Sequence, residues 1–126
     1  MAFGEVGGPV SSLVLTCRTP GTGTVDIHRG DAVKLSGAYT ISNVFETGDR
    51  IFGQALVDCS LNDTAVPVRV RGVCDFPYSG AAPVVDGISG AAGSTEAGKV
   101  VLSSAANAAG LAVKANADAG TVEVLL

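Results

Sequence analysis

The sequence predicts an all-β fold, a small β-barrel or β-sandwich of short antiparallel strands, and three observations carry that prediction. Apolar residues recur with a period of two in most structured stretches, as in Val66, Val68 and Val70, which sets one face of each stretch against a core. Clusters of Gly, Pro, Asn and Asp interrupt those stretches at short intervals and supply turn chemistry. No amphipathic segment has the length of an ordinary helix; Ala105–Ala109 suggests no more than a brief helical turn.

The elements follow in order. Residues 1–12 are Gly-rich and aperiodic, with Phe3, Val6 and Val10 as isolated apolar points, and read as a flexible N-terminal arm ahead of one β-domain spanning 13–126. Leu13-Val14-Leu15 opens the first strand, and Thr19-Pro20-Gly21-Thr22-Gly23 ends it. Val25–His28 alternates, Arg29-Gly30-Asp31 turns the chain into Ala32–Leu35, Ser36-Gly37 breaks that strand, and Tyr39–Ile41 forms a short one. Ile51–Val57 reads as a mostly apolar strand, Leu61-Asn62-Asp63 as a turn, and Val66–Val73 as a strictly alternating strand. Pro67, on the other face of that strand, cannot donate to a ladder, so an edge strand or a bulge is expected there.

From Pro77 to Gly98 the chain is rich in Gly, Ala and Ser and reads as one long loop, with a short strand around Val84-Val85. Lys99–Ser103, Gly110–Lys114 and Thr121–Leu125 complete the strands. A weak internal repeat relates the two halves: Val33–Ser36, Gly53–Leu56, a turn, then Val66 and Val68 parallel Val100–Ser103, Gly110–Val113, a turn, then Val122 and Val124. It predicts that the terminal strand pairs in a hairpin with Leu111–Ala115, as Val66–Val70 does with Ala55–Asp58. In that hairpin Val122 and Val124 face inward, and Thr121, Glu123 and Leu125 face out.

Composition narrows the function. Of 126 residues 47% are apolar, yet many are alanine, Trp is absent, and Tyr and Phe number only 2 and 4. Val, Leu and Ile must therefore supply the burial, and a domain so built gains from burial against a partner. A net charge of −4 argues against a nucleic-acid surface, because phosphate binding needs clustered Lys and Arg; Arg69 and Arg71 form one small cluster that a solvated strand face explains. The three cysteines, Cys17, Cys59 and Cys74, show no CxxC spacing and read as small buried thiols. The opening residues lack the pattern of a secretory leader, and no stretch approaches a transmembrane span, so no membrane association is expected.

Enzymatic chemistry finds little support. His28 is the sole histidine, and although Asp26 shares its strand face, no further metal ligands can be assigned. Arg29-Gly30-Asp31 spells an adhesion tripeptide, but its residues suit a turn that launches the next strand. The Gly-rich segments lack the Lys-Ser/Thr of a phosphate loop. No catalytic residue, cofactor or metal is expected. Phe76 and Tyr78 flank Pro77 where a strand meets the long loop; they suit a core cap, and as aromatics they also suit an interface.

The run Gly30-Asp31-Ala32-Val33-Lys34-Leu35-Ser36-Gly37, Thr40-Ile41, Gly48-Asp49, Ile51–Leu56 and Val66–Gly72 resembles the capsid decoration, or capsid cement, proteins of tailed bacteriophages. The close, Gly110–Val113 followed by Ala119–Leu126, is similar to that family's ending, so the resemblance covers about residues 30–126. It implies a virion structural protein without catalytic residues, made in the host cytoplasm. Such a protein binds the major capsid protein on the outer surface of the expanded head. A homotrimer is expected, a dimer being the other choice, with no nucleic acid bound. Phe3, Val6, Val10, Phe76, Tyr78 and Leu125 are the candidate contacts to the shell or to neighbouring subunits. The rival readings are a carbohydrate-binding or adhesive β-module of a viral fibre, poorly served by so few aromatics, and a small metal enzyme, poorly served by one histidine.

Overall fold

A computed structural model describes residues 11–126 and Val6. Among them the chain forms ten strands and no helix. The first five are β1 (Leu13–Arg18), β2 (Ala32–Gly37), β3 (Thr40–Ser42), β4 (Gly53–Ala55) and β5 (Ala65–Arg71), and they close into a barrel in the order β1-β3-β2-β4-β5. The rest build a second layer. There β6 (Val73–Pro77), β10 (Thr121–Leu125) and β9 (Leu111–Asn116) make a sheet in the order β6-β10-β9, and β7 (Gly90–Gly93) pairs with β8 (Val100–Ser103). The all-β fold expected from the sequence, a small barrel or sandwich, is found as a closed five-stranded barrel with two antiparallel sheets beside it.

Each layer has its own core. Cys17, Val25, Ile27, Val33, Ile41, Ala55, Val66, Val68 and Val70 fill the barrel. The second core gathers around Phe76, with Cys74, Val100, Val122 and Val124, and it borrows Ala32, Phe45 and Ile51 from the barrel half. Small side chains dominate both, so the volume is closed by letting backbones approach. Gly93 shows how: a Cβ there would lie 2.7 Å from the Phe45 ring, inside van der Waals contact. Gln54 ties the layers together, since its buried amide donates to the Gly30 carbonyl at 3.2 Å and to the Asp75 carbonyl at 2.8 Å.

Several expectations are corrected. Val25–His28 is no strand; Ile27 makes only an isolated antiparallel bridge with Cys59. Ser36-Gly37 does not break β2, which turns instead at Ala38-Tyr39. The expected strand Ile51–Val57 shrinks to Gly53–Ala55, and Pro67 gives the reason for its early end. β5 is paired on both sides in a closed barrel, with no bulge at Pro67. The Pro67 carbonyl still accepts the Leu56 N–H at 3.1 Å, but its imide nitrogen has no proton to return, so the β4–β5 ladder stops there.

No strand forms at Val84-Val85; the strand lies at Gly90–Gly93, wholly buried although it holds nothing larger than alanine. The Ala105–Ala109 turn is a single one, with the Ala108 N–H donating to the Ala105 carbonyl at 3.0 Å. The internal repeat survives only as two hairpins. β4 pairs with β5 and β9 with β10, but β2 pairs directly with β4 whereas β8 pairs with β7. The first hairpin's register also sits earlier than expected, with Ala55 opposite Val68 and Gln54 opposite Arg69.

The long loop enters β7 through a side-chain clamp. Asp86 accepts the N–H groups of Ile88 and Ser89 at 2.8 and 2.7 Å on one oxygen, and the Ser89 hydroxyl at 2.7 Å on the other. The Ser89 N–H first, then the Ile88 N–H and the Ser89 hydroxyl, hold its carboxyl down at about 2. A depressed carboxyl stabilises the folded state fully above its unfolded value near ~4, and that contribution disappears as pH falls toward 2. Asp86→Ala is therefore expected to lower stability at pH 6, with the gap from wild type closing between about pH 4 and 2 in urea titrations; a gap independent of pH would contradict the clamp. Phe76, at 0% exposure the largest side chain wholly enclosed, anchors the second core, and Phe76→Ala should cost about 3–5 kcal/mol in the same measurement.

Candidate functional site

The outer face of the β6-β10-β9 sheet carries the first candidate. Val122 and Val124 point into the second core at 0% exposure, and Leu125 faces out at 47%, as alternation requires. Thr121 and Glu123 share the outer face but are only half-buried. Register sets Leu125 between Val73 and Leu111, both half-buried, so an apolar row crosses three strands. Toward the other end the face turns polar, where the Asn116 amide donates to Glu123 at 3.0 Å. The Thr121 hydroxyl is buried with no hydrogen-bond partner among the described residues.

Other expected contacts fare differently. Phe76 has no exposed surface and so offers none to a partner; its place in the sheet turns it inward beside Val122. Tyr78 is half-buried, packs on the second core, and makes a parallel bridge with Val100. Val6 is fully exposed, while Phe3 and Val10 lie outside the described residues.

A groove of about 420 Å³ runs where the layers meet, lined by Leu35, Arg50, Phe52, Arg71, Gly110 and Leu126 among others. Leu126 is held there by reciprocal backbone bonds with Gly72, of 2.9 Å from its own N–H and 3.4 Å in return. A second cleft, of about 470 Å³, opens at the β2–β3 turn, between Ala38-Tyr39 on one side and Asp63 and Ala65 on the other, with Thr16, Cys17 and Arg18 as its floor. Sequence reading overlooked this cleft. Its available signal was Tyr39 itself, an aromatic in the middle of a tight turn where glycine or asparagine ordinarily stands.

The remaining polar motifs are occupied by the fold. Asp31 of the Arg-Gly-Asp tripeptide accepts the His28 N–H and the Asn43 amide, each at 2.9 Å. Its side chain is only 13% exposed, and Gly98 packs so tightly on the carboxylate that a Cβ there would collide with it. The tripeptide is thus the turn that launches β2. His28 lies between Asp26 at 3.4 Å and Asp31 at 3.7 Å, and among the described residues no group of three or more His, Cys, Asp or Glu is placed to hold a metal ion. Lys34 pairs with Asp49 at 2.8 Å. That bond first, then the Glu46 N–H, lowers the Asp49 carboxyl. Arg69 and Arg71 do alternate on the outer side of β5, though the Arg69 Nε is buried with no hydrogen-bond partner among the described residues.

Comparison with known protein families, with curated proteins and with solved structures finds no match.

The thiols differ in access. Cys17 and Cys74 are buried, Cys59 half-buried; burial raises the Cys17 thiol, and pushes Cys74 up to about 11 against a smaller opposing pull from Arg69. A thiol-reactive chromophore at pH 8 should modify Cys59 quickly in the folded protein, and Cys17 and Cys74 only after denaturant is added. Equal reaction of all 3 under native conditions would show that neither core is closed.

Proposed function

We propose that this protein is a viral structural component that binds the outer surface of an expanded bacteriophage head and cements it, working as a homotrimer. The single observation that carries the proposal is the apolar row centred on Leu125. It lies on the outer face of a sheet whose inner face is already buried, so it is surplus to this chain's own core and calls for a covering protein surface.

The sequence resemblance supplies the identity of the larger partner. Its motifs fall on β2, β3, β4, β5, β9 and β10, the strands that make the barrel and finish the second sheet. A cement protein needs no reaction chemistry. Binding the assembled shell and not its separated subunits stabilises the shell by mass action, and a repeated lattice of modest contacts adds up through multivalency. Closed cyclic symmetry is the simplest way for copies of one chain to cover the same apolar row.

Purified protein mixed with expanded and unexpanded shells of the virus that encodes it should co-sediment with the expanded form alone. Binding to neither shell would sink the proposal. Leu125→Asp should keep the wild-type circular dichroism spectrum and lower the native mass from trimer to monomer. A variant that stays trimeric would remove Leu125 from the subunit interface.

A further inference from the structure

Nine glycines among the described residues take positive φ, and only two other residues do, Tyr39 at 51° and Asp63 at 47°. Asp tolerates the left-handed region because its short side chain bonds locally, but a bulky tyrosine does not. The chain thus uses glycine almost everywhere the backbone demands this conformation, and departs from that habit with an aromatic at one turn. Both exceptions line the same cleft at the end of the barrel. Strained positions that converge on one cleft mark a place where the side chain is needed for something other than folding.

The Tyr39 side chain does little for the fold. Tyr39 is 65% exposed and belongs to neither core, while the closing contact it provides is made by its backbone, whose carbonyl accepts the Arg18 N–H at 2.8 Å. Any residue could supply that carbonyl. Beside it stand exposed Arg18 and Asp63, neither in an ion pair among the described residues. Arg18 uses its Nε on the Thr40 hydroxyl at 3.3 Å. Leu61, 66% exposed, sits two residues before Asp63 in the same turn. An exposed aromatic flanked by one cation and one anion suits a protein surface. It does not suit a polyanion, which Asp63 would repel.

We propose that the Tyr39 cleft is the face that seats on the shell. It would receive a segment of the major capsid protein that lays an apolar side chain against the tyrosine ring, between a carboxylate opposite Arg18 and a basic group opposite Asp63. Tyrosine is well fitted to such an anchor, because it presents a large rigid area at small entropic cost. The proposal rests on the capsid-binding function above. It separates the surface used for shell binding, at Tyr39, from the surface used for self-association, at Leu125.

The test uses the full chain with purified expanded shells and reads two quantities, the thermal midpoint and the concentration that half-saturates the shells in a sedimentation assay. Tyr39→Asn relieves the left-handed strain and removes the ring, so the midpoint should rise by about 3 °C while half-saturation moves up at least tenfold. Tyr39→Phe keeps the ring and should bind within about threefold of wild type. Native mass should be unchanged in both. Wild-type binding to the shells is the control, and its failure would overturn the capsid-binding function itself. If wild type binds and Tyr39→Asn binds equally well, the cleft is not the shell-facing surface. A fall in the midpoint of Tyr39→Asn would show that the ring serves the fold, and would overturn the inference as well.

Discussion

The structure depends on one corner, at Gly72. A chain short of large side chains builds two modest cores, and a single length of backbone, β5 running into β6, belongs to both. Val66, Val68 and Val70 enter the barrel; Cys74 and Phe76 enter the second core. Between them Gly72 takes φ 112°, a value that β-carbon sterics deny to other residues. Space adds a second constraint, since a Cβ on Gly72 would come within 2.9 Å of the Ser11 carbonyl. The backbone of Gly72 also pairs with Leu126. The start of β1, the end of β10 and the crossing between cores are therefore fixed at one residue.

That corner explains why the fold class was legible in the sequence and the layering was not. The period-two pattern runs from Val66 through Phe76 without a change of phase, because Gly72 turns the strand while keeping its alternation. Nothing in the spacing of apolar residues distinguishes one long strand in one core from two strands in two cores. The hairpin of β9 and β10 was readable down to the exposure of Leu125, since there a clear alternation and a Gly-containing turn agree. β7 was invisible for the opposite reason. Gly90-Ala91-Ala92-Gly93 carries no side chain large enough to register as apolar periodicity, yet it is buried because glycine lets Phe45 and the Ala109 backbone approach it. Val84 and Val85 drew the strand assignment through their β propensity, and remain exposed because the Asp86 clamp commits the following residues to a turn.

The candidate surfaces divide along the same line. Leu125 could be found because a surplus apolar residue on an alternating strand stands out against the pattern. Tyr39 was passed over because, next to Thr40-Ile41, it reads as a strand residue, and its place in the turn shows only in the backbone angle. Phe76 was read both as a core cap and as a candidate contact, since aromatic residues near a loop look alike from sequence whether they cap a core or project from it; the core role is the one found. Here the pairing of Phe76 with Val122 settles the direction, and the largest wholly enclosed ring of the second core is consumed in holding it together.

Exposed large apolar side chains lie on many elements, among them Leu13 and Val14 on β1, Leu35 on β2, Leu61 and Tyr39 beside the barrel-end cleft, Val113 on β9, Leu125 on the outer sheet face, and Val84, Val85 and Ile88 on the long loop. Separated residues of this kind make poor high-affinity sites on a single molecule, because each buries little area and association first costs translational and rotational freedom. On a repeating lattice the balance changes. Subunits already joined through one surface present the others at high effective concentration, so contacts that are each weak hold together once several form at the same time. On the proposed function, a small protein with little core to spare gains doubly, since each contact to an assembled shell would also favour its own folded state. The sparing use of large side chains inside and their placement outside are, on the proposed function, two parts of one solution: a fold that gains stability from what it covers.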